Sequence, residues 1–400
     1  MKARFKYRIY PKSQQIEPLA KAFGCARVVW NDALAIYKKA YADGLPRPLD
    51  VDKLVITSAK KTEERAWLAE VSNIVLQQSF RDLQQAWSNF FDSCNGERKG
   101  KKVNLPKFKK KQSRQTIRFR KDGFTVHSCS VKLARIGHIP MEVSRPLPSK
   151  PSSVTIIKDT AGRYFASFVV EVVCQPLPYT ENTVGIDLGL CHFAILSNGE
   201  KIENPRIHKT RLKKIKRASK RLSKCQKESN RRKVAKHKLA KLHAKVKDSR
   251  TDFLHKLTTK LVRENQALFV EDLNVSGMVK NRKLSRAISD AGWSSFRTLL
   301  DAKCQKHGRH LTIINKWEAT SQKCSACGQS GGRKELHIRE WQCLHCGVVH
   351  DRDVNAANNI KVAGGLSETI NGRGSECKTT LVAVRVEPST ISKEVQLSLF

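Results

Sequence analysis

The chain has 400 residues, ample for several buried cores, and carries 76 Lys or Arg against 36 Asp or Glu, a net charge of +40. An excess of that size points to a polyanion partner, because each phosphate neutralised by Lys or Arg releases counterions. It is not the signature of a membrane protein, since no long apolar run or lipid-seeking amphipathic segment accompanies the charge; Met1–Tyr10 also lacks the apolar centre of a signal peptide, so a reducing cytoplasm is expected.

In chain order, Phe5 to Tyr10 alternates apolar and polar residues and predicts a half-exposed strand stopped by Pro11. A helical pattern starts with Ser13 as N-cap and runs to Asp43-Gly44. From Ser72 to Phe91 the residues Leu76, Phe80, Leu83, Trp87 and Phe90 form one apolar helical stripe, read as core, with Gln77, Gln78, Gln84 and Gln85 opposite. Residues 98–121 hold twelve Lys or Arg interleaved with Phe108 and Phe119, a tract suited to nucleic acid rather than a plain solvated face. Period-two stretches around 117–119, 124–126, 131–133, 154–157 and 164–173 then predict strands, and with the first strand a small β-barrel interrupted by a helical insertion. Pro176-Leu177-Pro178 marks a linker.

The second half opens with strands at Thr183–Leu188 and Cys191–Leu196 and a hairpin at Asn198-Gly199, the way an RNase H-like domain begins. Residues 201–250 contain 21 Lys or Arg against three acids. Leu212, Ile215 and Leu222, then Leu239, Leu242 and Val246, keep one face apolar on each of two predicted antiparallel helices, whose basic outer faces suit phosphate contact. A strand at Ala267–Leu273, a helix at Ser294–His307, a strand at His310–Asn315 and a helix from Asp353 follow, and the stretch from Gly364 is expected to be poorly ordered.

Two constellations carry chemistry. Cys324-x-x-Cys327 and Cys343-x-x-Cys346, 15 residues apart, have the spacing of a structural four-thiolate Zn²⁺ site with no open coordination position. His345 between the second pair is a spacer, and the eight other cysteines are scattered singly without a disulfide framework. The second constellation is Asp187, Glu271 and Asp353, with Asp351 as an alternative third acid and Asp272 on the opposite strand face. Carboxylates gathered from separate elements repel one another unless cations share the site, and two Mg²⁺ ions clamping a phosphodiester are the usual reason for the cluster. Asp353 also suits an N-cap, and Gly185-Ile-Asp-Leu-Gly189 on its own also suits the phosphate loop of an actin–hexokinase-type ATPase, although no second such loop follows.

Gly185-Ile-Asp-Leu-Gly189, Val270-Glu-Asp-Leu273, Thr320-Ser-Gln with the first cysteine pair, and His350-Asp-Arg-Asp-Val-Asn-Ala-Ala-Asn-Asn-Ile360 resemble the TnpB family of transposon-encoded proteins, as do Ile288-Ser-Asp-Ala-Gly-Trp293 and Leu105-Pro-Lys-Phe-Lys-Lys110. The resemblance spans nearly the whole chain and departs at Glu318, where relatives often carry proline. It implies a multidomain α+β and α/β protein related to type V CRISPR effectors. Residues 1–12 and 115–180 would form a wedge-like β-barrel and 13–114 a helical recognition lobe. Residues 183–319 and 350–365 would form a RuvC-like nuclease domain around a zinc ribbon at 320–349, followed by a disordered tail at 366–400. It also implies a guide RNA (ωRNA) from the element's end, a double-stranded DNA target, Mg²⁺ on Asp187, Glu271 and Asp353 as catalytic acids, and a monomeric, nucleoid-associated ribonucleoprotein. A strand-transferring transposase and a non-cleaving nucleic-acid-binding regulator are the alternatives.

Overall fold

The structure, a computed structural model, describes residues 1–365 apart from 99, 101, 316, 317, 319 and 336, and these divide into two units at Val172/Val173. The expected tail from 366 lies outside the described residues. Among those described, no helix is long and apolar enough to cross a membrane.

The first unit is built on one antiparallel sheet of seven strands: β1 (Lys2–Ile9), β2 (Gln115–Arg120), β3 (Phe124–His127), β4 (Ser130–Leu133), β5 (Gly137–Glu142), β6 (Ser153–Lys158) and β7 (Tyr164–Glu171). Their order, β2-β6-β7-β1-β5-β4-β3, puts the N-terminal strand in the middle. The expected barrel therefore takes the form of a curled sheet with two ends, β2 and β3, linked by a short helical turn at 121–123. β5 was not expected, because Pro140 interrupts its pattern. It pairs nonetheless, Val131 opposite Ile139 and Ile9 opposite Met141, and buries Ile139 and Met141.

Two helices insert between β1 and β2: α1 (Ser13–Ala42) and α2 (Asn73–Cys94). Gln15 closes the start of α1 by accepting from the Lys12 amide at 3.0 Å, so Ser13 is its first residue and not its cap. The stripe Leu76, Phe80, Leu83, Trp87 and Phe90 is buried, with Tyr37 of α1 against Phe80 and Trp87, as the core reading requires. Gln78, expected on the polar face, is buried as well.

Half of the basic tract is pinned down. Trp30 donates from Nε1 to the Lys107 carbonyl (3.1 Å), and Asn31 exchanges two bonds with the Lys109 backbone (2.8 and 3.1 Å). The Lys109 ammonium lies 3.7 Å from the centre of the Trp30 ring, where burial pulls its pKa down to about 8.

The second unit carries a five-stranded sheet of β8 (Thr183–Asp187), β9 (His192–Leu196), β10 (Lys201–Glu203), β11 (Ala267–Glu271) and β12 (His310–Ile314), in the order β10-β9-β8-β11-β12. β8, β11 and β12 are parallel, while β9 and β10 form an antiparallel meander. β8 and β11 are largely buried, as their near-continuous apolar runs predict, whereas β12 is the edge strand and leaves Ile313 exposed. Between β10 and β11 stand the two basic helices, α3 (Ile207–Ser223) and α4 (Asn230–Glu264). Ser229 caps α4 by accepting from the Arg232 amide, a contact worth about 1 kcal/mol. After β11 come α5 (Val275–Met278), α6 (Ser285–Ala291) and α7 (Trp293–His307). Asp290 of α6 accepts from Arg250 of α4 (2.8 Å) and from the His208 amide at the start of α3 (2.8 Å), fastening the basic hairpin to this unit. The described residues close with a two-stranded ribbon, β13 (Glu340–Gln342) and β14 (Val349–Asp351), and α8 (Arg352–Ala363).

Candidate active site

The register of the second sheet decides which acids meet. Phe269 lies opposite Gly185, and successive strand residues alternate faces, so Gly185 and Asp187 of β8 share a face with Phe269 and Glu271 of β11. α8 lies on that face. A Cβ on Gly185 would stand 2.0 Å from the Ala357 carbonyl, and one on Gly364 would stand 1.9 Å from the Phe269 ring. The glycine of Gly-Ile-Asp-Leu-Gly is thus a notch in the sheet where the helix backbone seats directly. One turn before Ala357, α8 presents Asp353.

Electrostatics records the result. Burial first, then the charges of Glu271 and Asp353, push the Asp187 carboxyl up to about 7, against relief from the Leu188 amide and Arg352. Burial and Asp272 raise Glu271. The three sequence-expected acids therefore share one field, although their oxygens do not all lie within 4.8 Å of one another. Asp272 stands apart as expected and pairs with Arg297 of α7.

Asp351 and Asp353 divide two roles that sequence reasoning leaves open. Asp351 is the N-cap of α8: its Oδ1 accepts from the amides of Asp353 and Val354 at 3.0 Å each, and its Oδ2 takes Lys201 at 2.6 Å. Those bonds hold its carboxyl below the usual range even though burial opposes them. Both oxygens are thus engaged by the chain's own groups. Asp353 instead faces Asp187 and receives only a loose contact from Arg339 of the ribbon, at 3.3 and 3.4 Å.

The four cysteines form the other site. Among the described residues they are the one His/Cys/Asp/Glu group whose ligand atoms all lie within 4.8 Å of one another. Cys324 and Cys346 sulfurs are 3.6 Å apart, and those of Cys327 and Cys343 are 3.7 Å apart. Tetrahedral Zn–S bonds of about 2.3 Å require sulfur separations of about 3.8 Å, so the quartet fits zinc as it stands. Backbone amides of Cys346 and His345 hold the Cys343 thiol well below its ordinary value while Cys327 and Cys346 stand above theirs, the pattern of thiols that share protons with one another. His345 is exposed, as a spacer should be. His350, which the spacing did not single out, brings Nε2 to 2.9 Å from Cys324 Sγ and lays its ring against Trp341. The other described cysteines are free.

A cleft of about 700 Å³ opens between the basic helices, lined by Arg217, Lys220 and Arg221 of α3, by Lys224 at its C-cap and by Arg231 and Lys238 of α4. No acid lines it, so its charge is left for a polyanion.

Known proteins resemble this chain over most of its length. The family model OrfB_IS605, described as "Probable transposase", matches residues 138–282, and a Cas12f1-like TNB domain model matches 293–360. A helix-turn-helix model of the same OrfB group matches 1–45, a stretch that here folds as β1 and the single long helix α1. A protein of Streptomyces pristinaespiralis named "Putative RNA-guided DNA endonuclease" is 41% identical over 97% of this chain and 96% of its own length. InsQ of Escherichia coli (strain K12), given the same description, is 28% identical over 90% of this chain and 92% of its own. The cryo-EM structure of a Cas12f1-sgRNA-target DNA complex superposes with a TM-score of 0.55 at 12% identity, covering 88% of this chain and 83% of that one, a likeness of fold.

Proposed function

The chain belongs to the TnpB (OrfB_IS605) family, and from that membership we propose that it is an RNA-guided DNA endonuclease that hydrolyses target phosphodiesters at Asp187, Glu271 and Asp353. The observation that carries the catalytic part is the shared field of those acids. Glu271 of β11 and Asp353 of α8 add to burial in raising the proton affinity of Asp187 on β8, an arrangement that is unfavourable until a divalent ion enters. We read the five-stranded sheet as RuvC-like, with the first acid closing its central strand.

The acid set is all oxygen and suits Mg²⁺, which when bound would neutralise charge on the attacking and leaving oxygens of an in-line phosphodiester displacement. The chain's own contribution is placement. Gly185 lets α8 approach until Asp353 confronts Asp187, Asp351 fixes the end of α8 as its cap, and Lys201 keeps Asp351 from competing for the ion. Arg339 covers the Asp353 carboxylate and must yield it to an incoming cation. The cysteine quartet holds zinc as a structural element and leaves no position open for substrate.

The α3–α4 cleft and the exposed part of the 98–121 tract are read as contacts to the backbone of the guide RNA and of its heteroduplex with target DNA, sequence being read by base pairing. Expressed with its native flanking DNA, the protein is expected to co-purify as a single-chain complex with one discrete RNA from the element's end. That complex should cut matched duplex DNA only when a divalent ion is supplied. Recovery of heterogeneous cellular RNA, with no guided cutting, would overturn the proposal. Raising salt from about 50 to 200 mM is expected to weaken RNA binding by orders of magnitude, since several phosphate contacts are lost together.

A further inference from the structure

The ribbon and α8 are joined by far more than the peptide link at Asp351. Asn355, buried in α8, accepts from the Ser325 amide at 2.8 Å and donates to the Lys323 carbonyl at 2.8 Å, so one amide group grips the residue on each side of Cys324. One turn later Asn359 donates to the carbonyls of Lys323 (2.8 Å) and Thr320 (2.7 Å). The Arg352 amide donates to the Arg339 carbonyl at 2.7 Å. His350, touching Cys324 Sγ at 2.9 Å, immediately precedes the residue that caps α8. The first metal turn is therefore tied to the same two helical turns that carry Asp353.

We propose that Asn355, assisted by Asn359 and His350, is a positioning residue that couples the cysteine site to the carboxylate site, so that filling the quartet fixes where Asp353 stands opposite Asp187. The coupling rests on the reading of the three acids as a divalent-ion site. Asparagine suits the task because one planar amide both accepts and donates, which matches an N–H and a C=O two residues apart on the knuckle. The Asn355 side of both bonds is buried, so the knuckle cannot shift without leaving that amide unpaired or carrying α8 with it. A bound metal that locks the knuckle thereby restricts α8. By linkage, an ion held by the acids strengthens the metal grip of the cysteines by the same factor.

The test uses the full-length protein, either loaded with one equivalent of Zn²⁺ or stripped with a zinc chelator, and titrated with Mn²⁺ read by electron paramagnetic resonance. Stripping zinc from the wild type is expected to weaken Mn²⁺ binding about fivefold or more. Asn355→Ala should still bind Co²⁺ with the thiolate absorption of an intact quartet, yet bind Mn²⁺ weakly whether zinc is present or not. Should Asn355→Ala fail to fold, Asn359→Ala provides a smaller loss of the same kind, with Asn358→Ala on the same helix as the unaffected control. Equal Mn²⁺ affinity in loaded and stripped wild type overturns the coupling. Mn²⁺ binding that survives Asp187→Ala unchanged shows instead that the acids are not the ion site, and overturns the catalytic reading together with this one.

Discussion

The two ligand sets in the second unit are built on opposite plans. The cysteines come from 23 consecutive residues, Cys324 to Cys346, and each pair is set by its own tight turn. Neutral thiols can touch before any metal arrives, and their sulfurs already stand 3.6 and 3.7 Å apart. The acids come from three elements spread over Asp187 to Asp353, and each reaches the site only through sheet register and helix packing. Carboxylates cannot close on one another without a cation, so this site is assembled by the fold yet left open. A soft structural site can be made locally. A hard catalytic one needs the whole domain to hold repelling groups near each other.

The largest test of that contrast removes one acid. Asp187→Ala in a guide-loaded preparation is expected to lower DNA cleavage by roughly 10³-fold or more, measured as single-turnover rate. Asp351→Asn, two residues from Asp353, should leave most of that rate and cost about 1 kcal/mol in thermal stability, because it weakens a cap and an ion pair only. Equal loss in both variants would erase the distinction between scaffold and site.

Next in size is Gly185→Val. The added carbons collide with the Ala357 carbonyl, and the variant should lose about 3 kcal/mol and cleavage together, while its cysteine site still binds one zinc. A variant melting like wild type would show that α8 does not need the notch.

A smaller effect follows from pH. Asp187 is pushed up to about 7 in the folded chain, above its unfolded value near 3.9, so the metal-free fold holds a proton there. Its contribution to stability is complete below about pH 4 and is lost as pH rises through about 7. A divalent ion competes with that proton and reverses the trend. Mn²⁺ affinity should climb with pH up to about 7, by at most about tenfold per unit, and level off above. A flat profile from pH 5 to 8 would mean that the carboxylate is ionised throughout. Smallest is Arg339→Ala, which uncovers Asp353 and should tighten Mn²⁺ binding by no more than about fivefold, the worth of a half-exposed ion pair.

Much of this was legible before any coordinates, for physical reasons that differ by residue. The cysteine spacing is a local geometric statement, and local statements survive into the fold. Asp187 and Glu271 announce themselves because each ends an apolar run, where a buried backbone leaves a carboxylate little but a cation for company. Asp353 is preferred to Asp351 from sequence although either residue can cap a helix, and only the fold supplies the partners of each, Lys201 and two amides for Asp351 and the field of Asp187 for Asp353. β5 hid behind Pro140. The pinning of Lys107 and Lys109 onto Trp30 and Asn31 hid behind a charge run read as a contact to nucleic acid. His350, Asn355 and Asn359 were visible as letters in the His-Asp-Arg-Asp motif, but their task is set by a chain segment some 30 residues earlier, and nothing in local spacing reports it.

With Asp353 as the proposed catalyst, its separation from the cap makes loss of the reaction an easy step. Replacing Asp353 by its isosteric amide would leave the cap, the asparagine clamp and the zinc knuckle untouched, and would remove a repulsive charge from the metal-free protein. Such a chain would fold at least as well and could still carry its RNA to DNA. On the proposed reading of the three acids, drift toward stability alone would lead from cutter to silent binder in a single substitution.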